Sequence, residues 1–228
     1  ALALALAIAA QWTVFGHPEA INDDVRNQAY WMLRLGDPGL FPNDWLAEFF
    51  TQPALISPFM GVLYRVLVNW FDPLRITQFL PFPIILATNY FLLRFAAAEK
   101  SPRYAFWVCW LFNCYIWAMQ YISGGLPRAF FYALLFWVLW QAGRRNYWQV
   151  GAALCFGSLI YPPVTILCIP FLFYWHLKAR PPQAAEAGRG PMRERFPALI
   201  TGVLASLAVL ALRYAGQAAL YALFAAVV

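Results

Sequence analysis

The chain has 228 residues, of which 63% are hydrophobic and only 11% carry charge. A water-soluble domain keeps about a quarter of its residues charged, so this composition excludes a well-covered soluble surface and points to a polytopic helical membrane protein. The formal charge of +6 does not indicate nucleic acid, because the basic residues form no single stripe with aromatic platforms.

The apolar runs predict an all-α bundle of about seven membrane segments in one transmembrane domain over residues 1–228. Ala1 to Phe15 reads as a shortened first span, since no basic region precedes it as in a signal peptide. A long polar-aromatic loop, residues 16–75, follows. Within it "DDVRNQAYWMLRL" puts Val25, Ala29, Met32 and Leu33 at helical spacing, with Arg26, Asn27 and Arg34 off that face. "NDWLAEFF" repeats the pattern, with Asn43 as the expected cap and Trp45, Leu46, Phe49 and Phe50 as its greasy side. "SPFMGVLYRVLVNWF" reads as a third interfacial helix or as a full span. Amphipathic helices of this kind lie along a membrane surface. Arg65, Arg75 and Asp72 are expected on the wet face of the loop.

Further spans are expected at Ile76 to Phe95, Tyr104 to Ile122, Leu126 to Ala142, Tyr147 to Ile160, Pro162 to Leu177 and Pro197 to Ala215, with another apolar stretch beginning at Gly216. "LIYPPV" must break the backbone, because consecutive prolines cannot continue a helix ladder. "KARPPQAAEAGRGPMRER", within residues 178–196, reads as a flexible linker. Orientation follows from charge. Arg94, Lys100, Arg103, Arg144, Arg145, Lys178, Arg180, Arg189, Arg193 and Arg195 fall on one side with three acids; Arg26, Arg34, Arg65, Arg75, Arg128 and Arg213 fall on the other with seven. The positive-inside rule makes the first side, with the linker, cytoplasmic and the long loop extracytoplasmic.

Four cysteines, Cys109, Cys114, Cys155 and Cys168, lie inside apolar runs without disulfide or zinc spacing. His17 and His176 fall at opposite membrane depths, which argues against a shared haem. Glycine-rich nucleotide loops and zinc-protease helices are absent from the sequence, so neither nucleotide nor haem is expected.

Two groups stand out as chemistry. Asn22-Asp23-Asp24 opens the first interfacial helix. Carboxylates there gain about 0.3–1 kcal/mol from the helix dipole, so capping alone would explain one of them. Asn22 can serve as the cap, and a second carboxylate beside apolar spans costs solvation unless a cation or a proton is near. Arg128, in "SGGLPRAFF", stands at the outer start of a span, where the dipole disfavours it. A phosphate there would gain from the guanidinium and from free helix N–H groups, whereas a snorkelling arginine needs no ligand. Tyr161, at the proline break, either lines an outer cavity or marks a purely architectural kink.

The stretch "HPEAINDDVRNQAYWMLRLGDPGLFPNDWLAEFF", with "GGLPRAFFYALLF" and "LIYPPVTILCIPFLF", resembles the GT-C class of polyprenyl-phosphate-dependent glycosyltransferases of bacterial membranes. The resemblance implies an inverting transfer of a sugar from a lipid-linked phosphate donor to an acceptor hydroxyl at the outer face of the inner membrane. Asp23 or Asp24 would be the general base or would hold a divalent metal, and Arg128, Tyr161 and His17 would line the substrate site. Some members carry a second acid in a later outer loop, and "QYISGGLP" has none. Membrane lipids and other membrane subunits are the expected partners. A non-catalytic subunit of a larger complex is the alternative reading, and a transporter with proline-broken half-spans is a third.

Overall fold

Proline sets where most of the helices begin. A computed structural model describes the backbone at residues 5, 8, 9, 12, 23–51, 57–119, 122, 124–178 and 192–227, with side chains over most of these. Six elements start with proline: α3 (Pro58–Leu67), α4 (Pro73–Phe79), α5 (Pro81–Glu99), α6 (Pro102–Met119), a 3-10 turn (Pro127–Phe130) and α9 (Pro162–Lys178). The ring fixes the helical φ where the missing N–H costs no bond. The others are α1 (Asp23–Gly36), α2 (Trp45–Thr51), α7 (Phe131–Gly143), α8 (Tyr147–Ile160) and α10 (Met192–Val227). Among the described residues the fold is all-helical.

Among the described residues two stretches are long and apolar enough to cross a membrane: Pro73–Glu99, formed by α4 and α5 in series, and Pro197–Ala215 of α10. Three apolar helices, Pro58–Leu67, Tyr147–Ile160 and Pro162–Trp175, are shorter than the roughly 20 residues a span needs. At 10 residues, α3 cannot be the full span that its sequence left open. The expected first span lies outside the described residues apart from Ala5, Ile8, Ala9 and Trp12, which are helical.

Several boundaries differ from expectation. Asp72 caps α4, its Oδ1 accepting from the Leu74 N–H at 2.8 Å, so helix begins at Pro73 and Arg75 is inside it. The expected cap Asn43 yields to Asp44, whose Oδ1 accepts from the N–H groups of Leu46 and Ala47 at 2.9 and 3.2 Å. That shift turns Trp45 and Leu46 outward and seats Ala47 and Phe50 against α1, where Phe50 stacks on Trp31. The expected span from Leu126 is divided into the 3-10 turn and α7. Helix α10 begins at Met192, inside the stretch read as linker, and runs through Gly216 without a break.

Packing is organised around α8, which touches α7, α9 and α10. It meets α10 most closely at a pair of glycines. A Cβ built on Gly151 would lie 2.8 Å from the Cα of Gly202, so the two backbones meet directly. Val150, Ala153, Leu154, Val164, Cys168 and Leu199 are fully buried around that crossing. On the other flank α5 lies between α6 and α7. Asn89 and Asn113 exchange amide hydrogen bonds of 3.2 and 2.7 Å between α5 and α6, and each Nδ2 also donates to a carbonyl one turn back. Both amides are buried and closed on themselves, as buried polar groups must be. All four cysteines are free.

Candidate functional site at the loop end of the bundle

One end of the bundle gathers the segments that the sequence placed on its outer side. Helix α1 starts at Asp23, so both carboxylate residues occupy its first turn; their side chains lie outside the described residues. His17 and Asn22 also lie outside them.

What anchors α1 is Val25, which is 2% exposed. Its Cγ2 sits where a Cβ on Gly124 would be. Gly124 and Gly125 both have left-handed backbones, φ +86° and +60°, a conformation that costs other residues steric strain. Gly125 is equally constrained: a Cβ there would lie 2.7 Å from the Cβ of Leu80, at the α4–α5 junction. Its carbonyl accepts a 3.2 Å hydrogen bond from the Tyr64 hydroxyl of α3. Burial pushes the Tyr64 phenol above its ordinary value and keeps it a neutral donor. Two glycines therefore receive α1, α3 and the start of α5 at once.

Arg128 follows three residues later, in the 3-10 turn. It is half-buried and engages in contacts within the chain. The ring of free amides expected around it is narrower than the sequence suggested. Pro127 has no N–H, the Ala129 N–H donates to Leu126 O at 2.8 Å, and the Phe131 N–H is turned to Arg128 O. The guanidinium is what this position chiefly offers an anion.

Tyr161 caps α8 at the proline break, its N–H donating to Gly157 O at 2.7 Å. The half-buried ring meets Phe131 edge-on, with centroids 6.3 Å apart, which joins the break to the Arg128 segment. The carbonyls freed there are taken up from afar. Ser57, buried ahead of α3, donates its hydroxyl to Leu159 O, and Arg213 Nη1 of α10 donates to Ser158 O at 3.0 Å. A guanidinium at a helix C-terminus is where the dipole favours it. Ser158 Oγ also donates to Leu154 O and contacts Thr165 Oγ1, so α8, α9 and α10 are tied together at this corner, while Arg213 Nε is buried without a partner among the described residues.

The segments bearing Asp23–Asp24, Arg128 and Tyr161 are thus joined through Val25 on Gly124 and Phe131 on Tyr161. Sequence reading put Arg213 on this side by charge but gave it no role, and it passed over Ser57 and Tyr64. An arginine interrupting an apolar helix was a usable signal for Arg213. Ser57 and Tyr64 carry no such mark.

An open cleft of about 450 Å³ lies elsewhere, lined by Leu33, Asp37, Leu40, Asn69, Trp70 and Asp72 among others. It faces the C-terminal end of α1, roughly 20 Å along the helix from the acid pair at 1.5 Å per residue. It is not the pocket of those carboxylates. Among the described residues no three of His, Cys, Asp and Glu come close enough to hold a metal ion. No protein-family model matches the chain, and neither a curated protein nor a solved structure does.

Proposed function

We propose that the chain is an integral membrane glycosyltransferase, or a portion of one, that moves a sugar from a polyprenyl-phosphate donor to an acceptor hydroxyl. Its seat in this reading is the bacterial inner membrane, with the long loop outside and about seven segments in the bilayer. The shorter helices α6 to α9 cross as a bundle behind the two span-length stretches.

The observation that carries the reading is the seating of Val25 on Gly124. It holds the helical turn bearing two carboxylates against the segment bearing Arg128. An acid and a cation on adjoining elements are what the reaction needs. The carboxylate of Asp23 or Asp24 takes the proton from the acceptor hydroxyl as its oxygen attacks the anomeric carbon. The bond from that carbon to the phosphate oxygen breaks, and the phosphate leaves with the electron pair beside Arg128. A negative charge in the first turn of a helix is favoured by the dipole, and positioned proton transfer is worth about 10²–10⁴-fold. Tyr161 forms a wall of the donor site, and His17 is assigned to that site from the sequence alone.

Asp23→Asn with Asp24→Asn, assayed in membranes with a polyprenyl-phosphate sugar, should remove transfer and leave expression intact. Undiminished transfer ends the assignment. A second reading, a non-catalytic subunit, draws on the exposed aromatic side of α6, where Trp107 and Trp110 are 60% and 40% exposed. It requires a stable partner on gentle purification, and a chain that runs alone contradicts it.

A further inference from the structure

The opposite end of the bundle carries a second arrangement of arginines. Trp140, in the last turn of α7, is flanked by two guanidiniums. The Cζ of Arg94 from α5 lies 5.4 Å from its ring centroid, and the Cζ of Arg144 lies 5.2 Å from it. Arg94 also sits 6.0 Å from the Tyr90 ring. Tyr90 and Phe91 both contact the indole, with centroids 5.9 Å away, so the platform is held by α5.

The chain bends sharply to present Arg144. Arg145 adopts a left-handed backbone, φ 57°, where glycine is usual. The Arg145 N–H donates to Ala142 O at 2.9 Å, and the Asn146 N–H to Gln141 O at 3.0 Å. Gln141 is tied in turn to Gln149 at 2.8 Å. The turn is therefore fixed, and Arg144 stands at the negative end of the α7 dipole.

Two like charges share one ring here, and both arginines are exposed. Neither donates a hydrogen bond to a protein acceptor among the described residues, although each guanidinium has five N–H donors. An anion bound beside the ring relieves the repulsion between them. Cation–π contact with the indole orients the two planes without using their donors. The pair lies near the C-terminal end of the span-length stretch Pro73–Glu99, where a bilayer has its headgroups. Basic pockets between helices on the cytoplasmic side hold phosphate headgroups.

We propose that Arg94 and Arg144, fixed on Trp140, bind the phosphate of an acidic phospholipid at the basic end of the bundle. The proposal rests on the membrane reading above but not on sugar transfer. The test is native mass spectrometry of the full chain in detergent micelles, titrated with phosphatidylglycerol, phosphatidylcholine or inorganic phosphate. Phosphatidylglycerol should bind in preference to phosphatidylcholine. R94Q with R144Q should weaken it by about tenfold, the loss of a charge-assisted contact. R65Q with R75Q, at the loop end, should leave it unchanged. Trp140→Phe keeps both charges on a poorer platform and should give a smaller loss, which covers the case of a misfolded double variant. Equal lipid binding by the wild type and R94Q with R144Q overturns the proposal. Displacement by inorganic phosphate at concentrations equal to the lipid's overturns the lipid assignment in favour of a free oxyanion. A chain released from membranes by alkaline carbonate defeats the membrane reading before any lipid is added.

Discussion

Gly124→Ala is the substitution that tests the candidate site most directly. Two costs add. A non-glycine residue in left-handed backbone loses about 1–2 kcal/mol, and Gly124 stands at φ +86°. The new methyl would also enter the space of Val25 Cγ2. Carbon contacts settle at about 3.5–4.0 Å, so α1 must retreat by more than about 1 Å or Val25 must leave its rotamer. Overpacking of that kind costs about 1–3 kcal/mol, for a total of roughly 2–5 kcal/mol. A displacement of about 1 Å at a reacting centre lowers rate by about 10²-fold, so transfer should fall by that order. Val25→Ala supplies the decisive comparison. Alone it forfeits about 0.8 kcal/mol per methyl removed, but it opens the space that the added methyl at position 124 needs. The double variant should be about 1–3 kcal/mol more stable than the two single losses summed, with transfer partly restored. Gly143→Ala is the control, because a Cβ there meets nothing within 4 Å. Thermal unfolding in micelles and a transfer assay on the same preparations give both readouts. Additive losses for Val25→Ala and Gly124→Ala, or unaltered transfer by Gly124→Ala, would refute the packing of the acid-bearing helix on the Arg128 segment.

Two further outcomes are expected. Asn113→Ala leaves the Asn89 Oδ1 buried without its donor and should cost about 1–3 kcal/mol; in a double-mutant cycle with Asn89→Ala, unfolding should reveal a coupling of about 1 kcal/mol or more, since interhelical bonds in bilayers average about 0.6 kcal/mol each, and strict additivity would contradict the paired amides. Tyr64 gives a pH signature. Its phenol is held above the ordinary value, so below about pH 10 folded and unfolded chains both keep the proton and this contribution is intact. Above that the unfolded phenol ionises first, and stability falls by up to about 1.4 kcal/mol per pH unit. Tyr64→Phe should lose about 1 kcal/mol at neutral pH and show a shallower alkaline decline; parallel melting curves from about pH 8 to 11 would contradict the burial.

Much of the helix punctuation was legible because it depends on local chemistry. Pro162 and Pro163 announce a break wherever they stand, and Pro127 starts its turn for the same reason. The cap at Asp44 rather than Asn43 was not separable by type, since both residues accept hydrogen bonds equally well; tertiary packing of Ala47 on α1 decides it. The division of residues 126–142 escaped notice because hydropathy does not distinguish a 3-10 turn from the first turn of a helix. At the candidate site Asp23, Asp24, Arg128 and Tyr161 were visible as polar groups in an apolar chain. Their neighbours were not. Gly151 meets Gly202 only because two distant helices cross there, and spacing along one chain carries no record of a crossing.

The corner at Tyr161 has a consequence for how the molecule assembles. A proline break ordinarily leaves stranded carbonyls, a cost that grows in hydrocarbon. Here Leu159 O waits for Ser57, 102 positions earlier, and Ser158 O for Arg213, 55 positions later. Until both arrive, the hinge between α8 and α9 stays thirsty. The early loop and α10 must therefore both be in place for the corner to be dry, and the stability of the break carries the loop-closure cost of two wide circuits.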